Sequence, residues 1–127
     1  MTTQARIVDI DDEVITIKAN EVYMTGFSNV GTSARIGAII LVEITLWGDI
    51  NIEQAPSSQK KLHHLCPGLS YEIWGTLDVE NKVISSVFDF EIDEKSLAEF
   101  SYLDQKAVVL SMERFEFCIL SEAYSKA

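Results

Sequence analysis

The sequence predicts a mostly β protein, a small antiparallel barrel of about six strands with one or two short helices. Three observations predict it. The run from Gly37 to Ile52, GAIILVEITLWGDINI, is too rich in β-branched residues for a good helix and too short and interrupted to cross a bilayer. Short β-branched or aromatic segments recur along the chain, separated by polar, turn-forming clusters. The 37–52 run also changes character along its length. Ile40, Val42, Ile44 and Leu46 share one face while Ile39, Leu41, Glu43, Thr45 and Trp47 share the other, so its first half is apolar on both faces and its second half alternates. A central strand buried on both faces early and on one face later suits a sheet curling into a barrel.

Taken in order, Arg6–Val8 and Val14–Ala19 read as a hairpin whose turn is the acidic stretch from Asp9 to Glu13. Val22–Phe27 is a third strand-like run, and Ser28 to Ser33 reads as a loop leading into the 37–52 strand. After Ile52 the chain turns polar. Ser57 or Ser58 suits the N-cap of a two-turn helix carrying Lys60, Lys61, His63 and His64, which Cys66-Pro67-Gly68 must end. Tyr71–Val79 and Val83–Ile92 form a second hairpin around Glu80-Asn81-Lys82, with Gly75 marking a bulge or a tight corner. Ser96 and Glu99 have capping-box spacing, and Leu97, Phe100 and Leu103 fall on one helical face. Ala107–Met112 and Phe115–Leu120 close the chain as one long strand or a hairpin, before a tail from Ser121 that carries no pattern. Ala38-Ile39-Ile40-Leu41 is echoed by Ala107-Val108-Val109-Leu110, as two similar halves would produce, although four residues of common types also match by chance.

Composition narrows the function classes. With 127 residues, 47% of them hydrophobic, the chain suits one domain over 1–127 that buries its core without disulfides or metal. No basic start precedes an apolar segment of signal-peptide length, which predicts a soluble cytoplasmic protein. Cys66 and Cys118 are then expected as free thiols, at least one of them buried. The net charge of −10 works against phosphate backbones, which need Lys and Arg to displace counterions. It favours solubility and a basic protein partner.

Chemistry-bearing motifs are few. Asp9, Asp11, Asp12 and Glu13 crowd oxygen ligands together but lack the glycine and the distant glutamate of a calcium loop, so an acidic turn is the simpler reading. His63, His64 and Cys66 are zinc-type ligands without a second cysteine cluster. Neighbours in sequence rarely reach nucleophile-and-base geometry, and no third group is indicated to orient such a pair. No catalytic residue, metal or cofactor is therefore assigned. Trp47 and Trp74 each precede a glycine, where they either face outward as a recognition platform or fill the core. The candidate binding residues are Trp47, Asp49, Tyr71, Glu72 and Trp74.

Two stretches carry a family resemblance. Glu43-Ile44-Thr45-Leu46-Trp47-Gly48-Asp49 and Tyr71-Glu72-Ile73-Trp74-Gly75-Thr76-Leu77, with Val83–Ile92, resemble the third to fifth strands of OB-fold domains of the replication protein A type. The resemblance covers the middle third of the chain. It implies an OB-like barrel and single-stranded nucleic acid stacked on Trp47, Trp74 and Tyr71, with Lys60 and Lys61 nearby, although the groove cations of that family are scarce here. The chain is also similar in outline to PilZ domains, six-stranded barrels ending in a helix. It lacks their paired arginines, and Asp9-Ile10-Asp11 stands where their Asp-x-Ser-x-x-Gly motif belongs, so dinucleotide binding does not carry over. The function expected is a non-catalytic acidic protein-binding module, an inhibitor or immunity-type protein for example. The alternative is an OB-type binder of single-stranded nucleic acid or nucleotides.

Overall fold

The computed structural model describes residues 1–28 and 34–123. The expected loop from residue 29 to residue 33 and the last four residues lie outside them. Eleven strands and one short helix follow in chain order among the described residues: β1 (Thr2–Asp11), β2 (Val14–Ala19), β3 (Val22–Ser28), β4 (Ile39–Trp47), β5 (Asn51–Gln54), β6 (Lys61–His64), β7 (Tyr71–Asp78), β8 (Val83–Ser85), β9 (Asp89–Glu91), α1 (Glu94–Leu97) with a 3₁₀ turn at Ala98–Leu103, β10 (Ala107–Met112) and β11 (Arg114–Ala123). The protein is mostly β, as the periodicity predicts, and it contains a closed barrel. The chain path separates into two compact units, one made of residues 1–45 and 115–127 and the other of residues 46–114.

The first unit holds the closed barrel, with strand order β1-β2-β3-β11-β4. β1, β2 and β3 form an antiparallel meander, β4 returns antiparallel to β1, and β11 runs parallel to β3. Inward positions alternate along each strand, so Ala5, Ile7, Ile15, Ile17, Met24, Ile40, Val42, Ile44, Phe115 and Phe117 are buried. The first hairpin turn is shorter than the acidic stretch suggests. Asp9 and Asp11 extend β1, with an irregularity between Ile7 and Asp9, and the turn itself is Asp12-Glu13, where Asp12 takes a positive φ of 54°. Carboxylates at outward strand positions stay hydrated, so nothing drives them into the turn. Asn20 and Glu21, both at positive φ, join β2 to β3 as a two-residue turn. Gly26 pairs in register with Phe115 of β11. A Cβ there would lie 2.7 Å from both the Phe115 carbonyl oxygen and Phe117 Cε2, so any side chain would push the two strands apart.

The 37–52 run is two strands rather than one central strand. It breaks at Gly48, whose φ of +90° no β-branched neighbour would adopt easily, and whose missing side chain leaves room for the Glu113 carboxylate. Early burial on both faces is not observed either, because Leu41 is exposed among the outward residues of β4.

The second unit is an antiparallel sheet in the order β5-β10-β7-β8-β9, with β6 paired to β7 on the same edge as β8. β7 therefore has three partners. β6 covers Tyr71 to Trp74, β8 covers Thr76 to Asp78, and Gly75 marks the handover. A Cβ on Gly75 would collide with the Ser85 carbonyl oxygen, so the glycine admits a backbone and not a bulge; the pairing with β10 runs through it in register. Inward residues Ile52, Ile73, Leu77, Ile84, Phe90, Val108 and Leu110 are almost fully buried.

Three local expectations are corrected. Residues 61–64 are a strand rather than a helix, since pairing with β7 satisfies backbone groups that two helical turns before a proline would leave open. Val83–Ile92 is broken into β8 and β9 by a turn closed from Ser86 N–H to the Phe88 carbonyl. α1 begins after Asp93, ahead of the Ser96 capping position, with no side-chain cap bond, and it buries Leu97. β10 and β11 also fall in different sheets, so the echo between Ala38–Leu41 and Ala107–Leu110 joins a barrel stave to a strand in the interior of the open sheet.

Candidate functional site

The alternation of β6 and β7 sorts the predicted residues onto two faces. Tyr71 lies on the inner face with Ile73 and is buried, so it offers no exposed ring. Glu72 and Trp74 lie on the opposite face, each half-buried. The register places Lys61 beside Trp74 and His63 beside Glu72. The Lys61 ammonium sits 4.4 Å from the centre of the Trp74 ring, a cation–π contact, and His63 Nδ1 lies 3.0 Å from Glu72 Oε1. Trp74 Nε1 is buried without a hydrogen-bond partner, while its carbonyl accepts from the Ser86 hydroxyl.

Trp47 and Asp49 flank the break at Gly48. Trp47 is 46% exposed, and the Arg114 guanidinium lies 4.0 Å from the centre of its ring. Beside it, the Asp49 N–H donates to Glu113 Oε2 at 3.3 Å, the same carboxylate that fills the space over Gly48. Trp47 and Asp49 thus share one corner, and Glu72 and Trp74 share one strand face. Tyr71 belongs to neither. Arg114 and Glu113 complete the Trp47 corner without having been singled out by sequence, since they lie between the two runs Ala107–Met112 and Phe115–Leu120 and belong to no motif.

A second group forms where β6 leads into the turn before β7. His64, on the inner side of β6, stacks on Tyr71 with ring centres 4.5 Å apart and planes within 3° of parallel. Its Nε2 lies 2.7 Å from the Gly68 carbonyl oxygen and its Nδ1 3.6 Å from Cys66 Sγ. The expectation of a buried thiol is corrected: Cys66 and Cys118 are both free and both exposed. Cys118 is exposed because it alternates with the buried Phe115 and Phe117 along β11.

Among the described residues no group of three or more His, Cys, Asp or Glu side chains could hold a metal ion. None of their helices is long and apolar enough to cross a membrane. Fold and sites together define a mostly β, barrel-containing protein with the aromatic–cation pairs Trp47 with Arg114 and Trp74 with Lys61. The chain matches, over residues 1–120, the family described as "Uncharacterised conserved protein UCP019853", and it belongs to that family. Neither a curated protein nor a solved structure matches it.

Proposed function

We propose that the chain is a non-catalytic protein-binding module that covers a basic surface on a partner, as an inhibitor or immunity-type protein would. The observation that carries this reading is the Trp47 corner. Tryptophan and arginine are the residue types in which interface binding energy concentrates, and a ring already stacked under a guanidinium loses little freedom when a partner closes over it. Asp49 and Glu113 add acceptors for a partner's cations at the same corner. The net charge of −10 accelerates the encounter with a basic protein. A cytoplasmic setting belongs to the same reading and is supported by the two unpaired thiols.

The test is capture of partners from a lysate of the source cells by the wild type and by Trp47→Ala, followed by affinity measurement on whatever is captured. A basic partner is expected, with its affinity reduced roughly tenfold or more by the substitution and its association slowed by added salt. Equal recovery of every partner by both folded proteins overturns the reading.

A second reading, an OB-like binder of single-stranded nucleic acid or nucleotides, is supported by a different surface. Segments Tyr71–Leu77 and Val83–Ile92, which carry the sequence resemblance, lie in the open sheet. The closed five-stranded barrel instead has its last strand between the third and fourth, in keeping with a Greek-key OB barrel. Across its outer face runs the row Ile39, Arg6, Lys18, Tyr23, one residue from each of four neighbouring strands. Lys18 sits 5.4 Å from the centre of the ring of Tyr23, a residue that is 57% exposed. Lys18 is paired with Glu21 Oε2 at 3.3 Å, and Arg6, directly opposite it on the adjacent strand, adds a second cation to the row that an anionic ligand would meet. Salt-dependent binding of a single-stranded oligonucleotide, weakened by Arg6→Ala, is expected on this reading. No binding at low salt overturns it.

A further inference from the structure

The group around Cys66 does not enter either reading, yet its geometry is specific. A carbonyl oxygen has no proton to give, so the 2.7 Å contact between His64 Nε2 and the Gly68 carbonyl requires the proton to sit on Nε2. In the neutral ring the other nitrogen, Nδ1, then presents a lone pair. That lone pair faces Cys66 Sγ at 3.6 Å, within hydrogen-bond range for sulfur, so the thiol donates to it. Tyr71 fixes the ring plane by stacking, and the backbone bond from Leu65 N–H to the Ser70 carbonyl, at 2.8 Å, closes the turn that brings Cys66 and Gly68 to the same imidazole. A thiol, a base within reach of its proton, and a third group that orients the base are the three parts of an activated nucleophile. Two residues of strand followed by a reversing turn bring sequence neighbours into this arrangement. Cys66 is also exposed, so a small molecule can reach it.

We propose that Cys66 is a base-assisted reactive thiol, a modification site whose ligand is a low-molecular-weight disulfide. In the reaction His64 Nδ1 accepts the thiol proton as Cys66 sulfur attacks one sulfur of the disulfide. A new sulfur–sulfur bond forms to Cys66, the original one breaks, and the departing sulfur leaves with the electron pair and takes up the proton from His64. Cys66 sulfur is oxidised, the departing sulfur is reduced, and no further oxidant is required. The reaction is stoichiometric and leaves a mixed disulfide on the turn between β6 and β7.

Cys118, an exposed thiol on β11, is the internal control. The experiment follows reaction with the neutral disulfide 4,4′-dithiodipyridine at pH 7 in full-length chains that keep one thiol each, Cys118→Ser and Cys66→Ser. Cys66 is expected to react about tenfold faster than Cys118, below the range of general-base assistance in enclosed active sites because this pair is open to water. Adding His64→Phe, which preserves a ring against Tyr71, is expected to remove the advantage, whereas His63→Phe leaves it intact. Equal rates for the two thiols overturn the proposal. So does a fast Cys66 that survives His64→Phe in a chain still folded by circular dichroism.

Discussion

At the scale of single residues, the turn between β7 and β8 offers a direct electrostatic test. Asp78 accepts from both the backbone N–H of Asn81, at 3.1 Å, and its side-chain amide, at 2.7 Å. These bonds favour the carboxylate, the side-chain one most, then the Asn81 backbone N–H, with the Glu80 N–H adding a smaller share, and they hold the Asp78 pKa below its usual value. A depressed pKa means that the folded state binds the proton less readily than the unfolded chain. The resulting stabilisation is present above the unfolded value and is lost as pH falls through the lower, folded one. A carbon-detected NMR titration is expected to place Asp78 below an ordinary aspartate, and Asn81→Ala to move it partly back, because the backbone donors remain. An Asp78 that titrates identically in both proteins removes Asn81 as the cause. That turn was legible in the sequence from Glu80-Asn81-Lys82. The Cys66–His64 geometry was not, because reading 57–66 as a helix separates side chains that a strand and turn bring together.

Secondary-structure elements were legible where alternation was long and failed where pairing decided the outcome. β2, β3, β7 and β10 lie where strand-like runs predict them, since each alternates a buried face with a less buried one, apolar in β2 and β10, interrupted by Gly75 in β7, and made of Met24, Gly26 and Ser28 in β3. The short β6 has no comparable periodicity of its own, and its backbone is drawn into a strand by the edge of β7. The two Trp-Gly pairs look alike in sequence but differ in role, Gly48 ending β4 and Gly75 letting β8 approach β7, because that difference depends on the partners and not on the dipeptide. Strand rank within the second sheet leads to an expected contrast in stability. Ile73 is fully buried on a strand flanked on both sides, and its replacement by Ala should cost about 2–5 kcal/mol through lost burial and the cavity left behind. Leu62, its partner in register, is only half-buried on an edge strand, so Leu62→Ala should cost less than about half as much. Chemical denaturation of both variants measures the difference, and equal losses would mean that β6 is as much a part of the cooperative core as β7.

On the scale of the whole molecule, the two compact units are interleaved in sequence, with 46–114 inserted into the barrel between β4 and β11. The family match runs across both. Within the barrel unit the two ends of the gap lie on neighbouring strands, for the Thr45 hydroxyl donates to the Glu116 carbonyl at 3.5 Å. A short linker can therefore join residue 45 to residue 115 without stretching either strand. The shortened chain would keep the barrel's closed order and its fully buried residues Ile7, Ile15, Ile17, Met24, Ile40, Phe115 and Phe117. Closure also leaves no open sheet edge to be covered. A domain of about 60 residues buries only about 60% of the surface its unfolded chain exposes, so the shortened chain should be marginal. It is expected to show a β-type far-ultraviolet spectrum and one cooperative melt, at a lower temperature than the full-length protein. Two Gly/Ser linkers of different length separate a strained junction from an unstable barrel. If neither melts cooperatively, even with a stabilising osmolyte present, the barrel depends on residues 46–114 for its stability, and the closed ring of five strands is not by itself a folding unit.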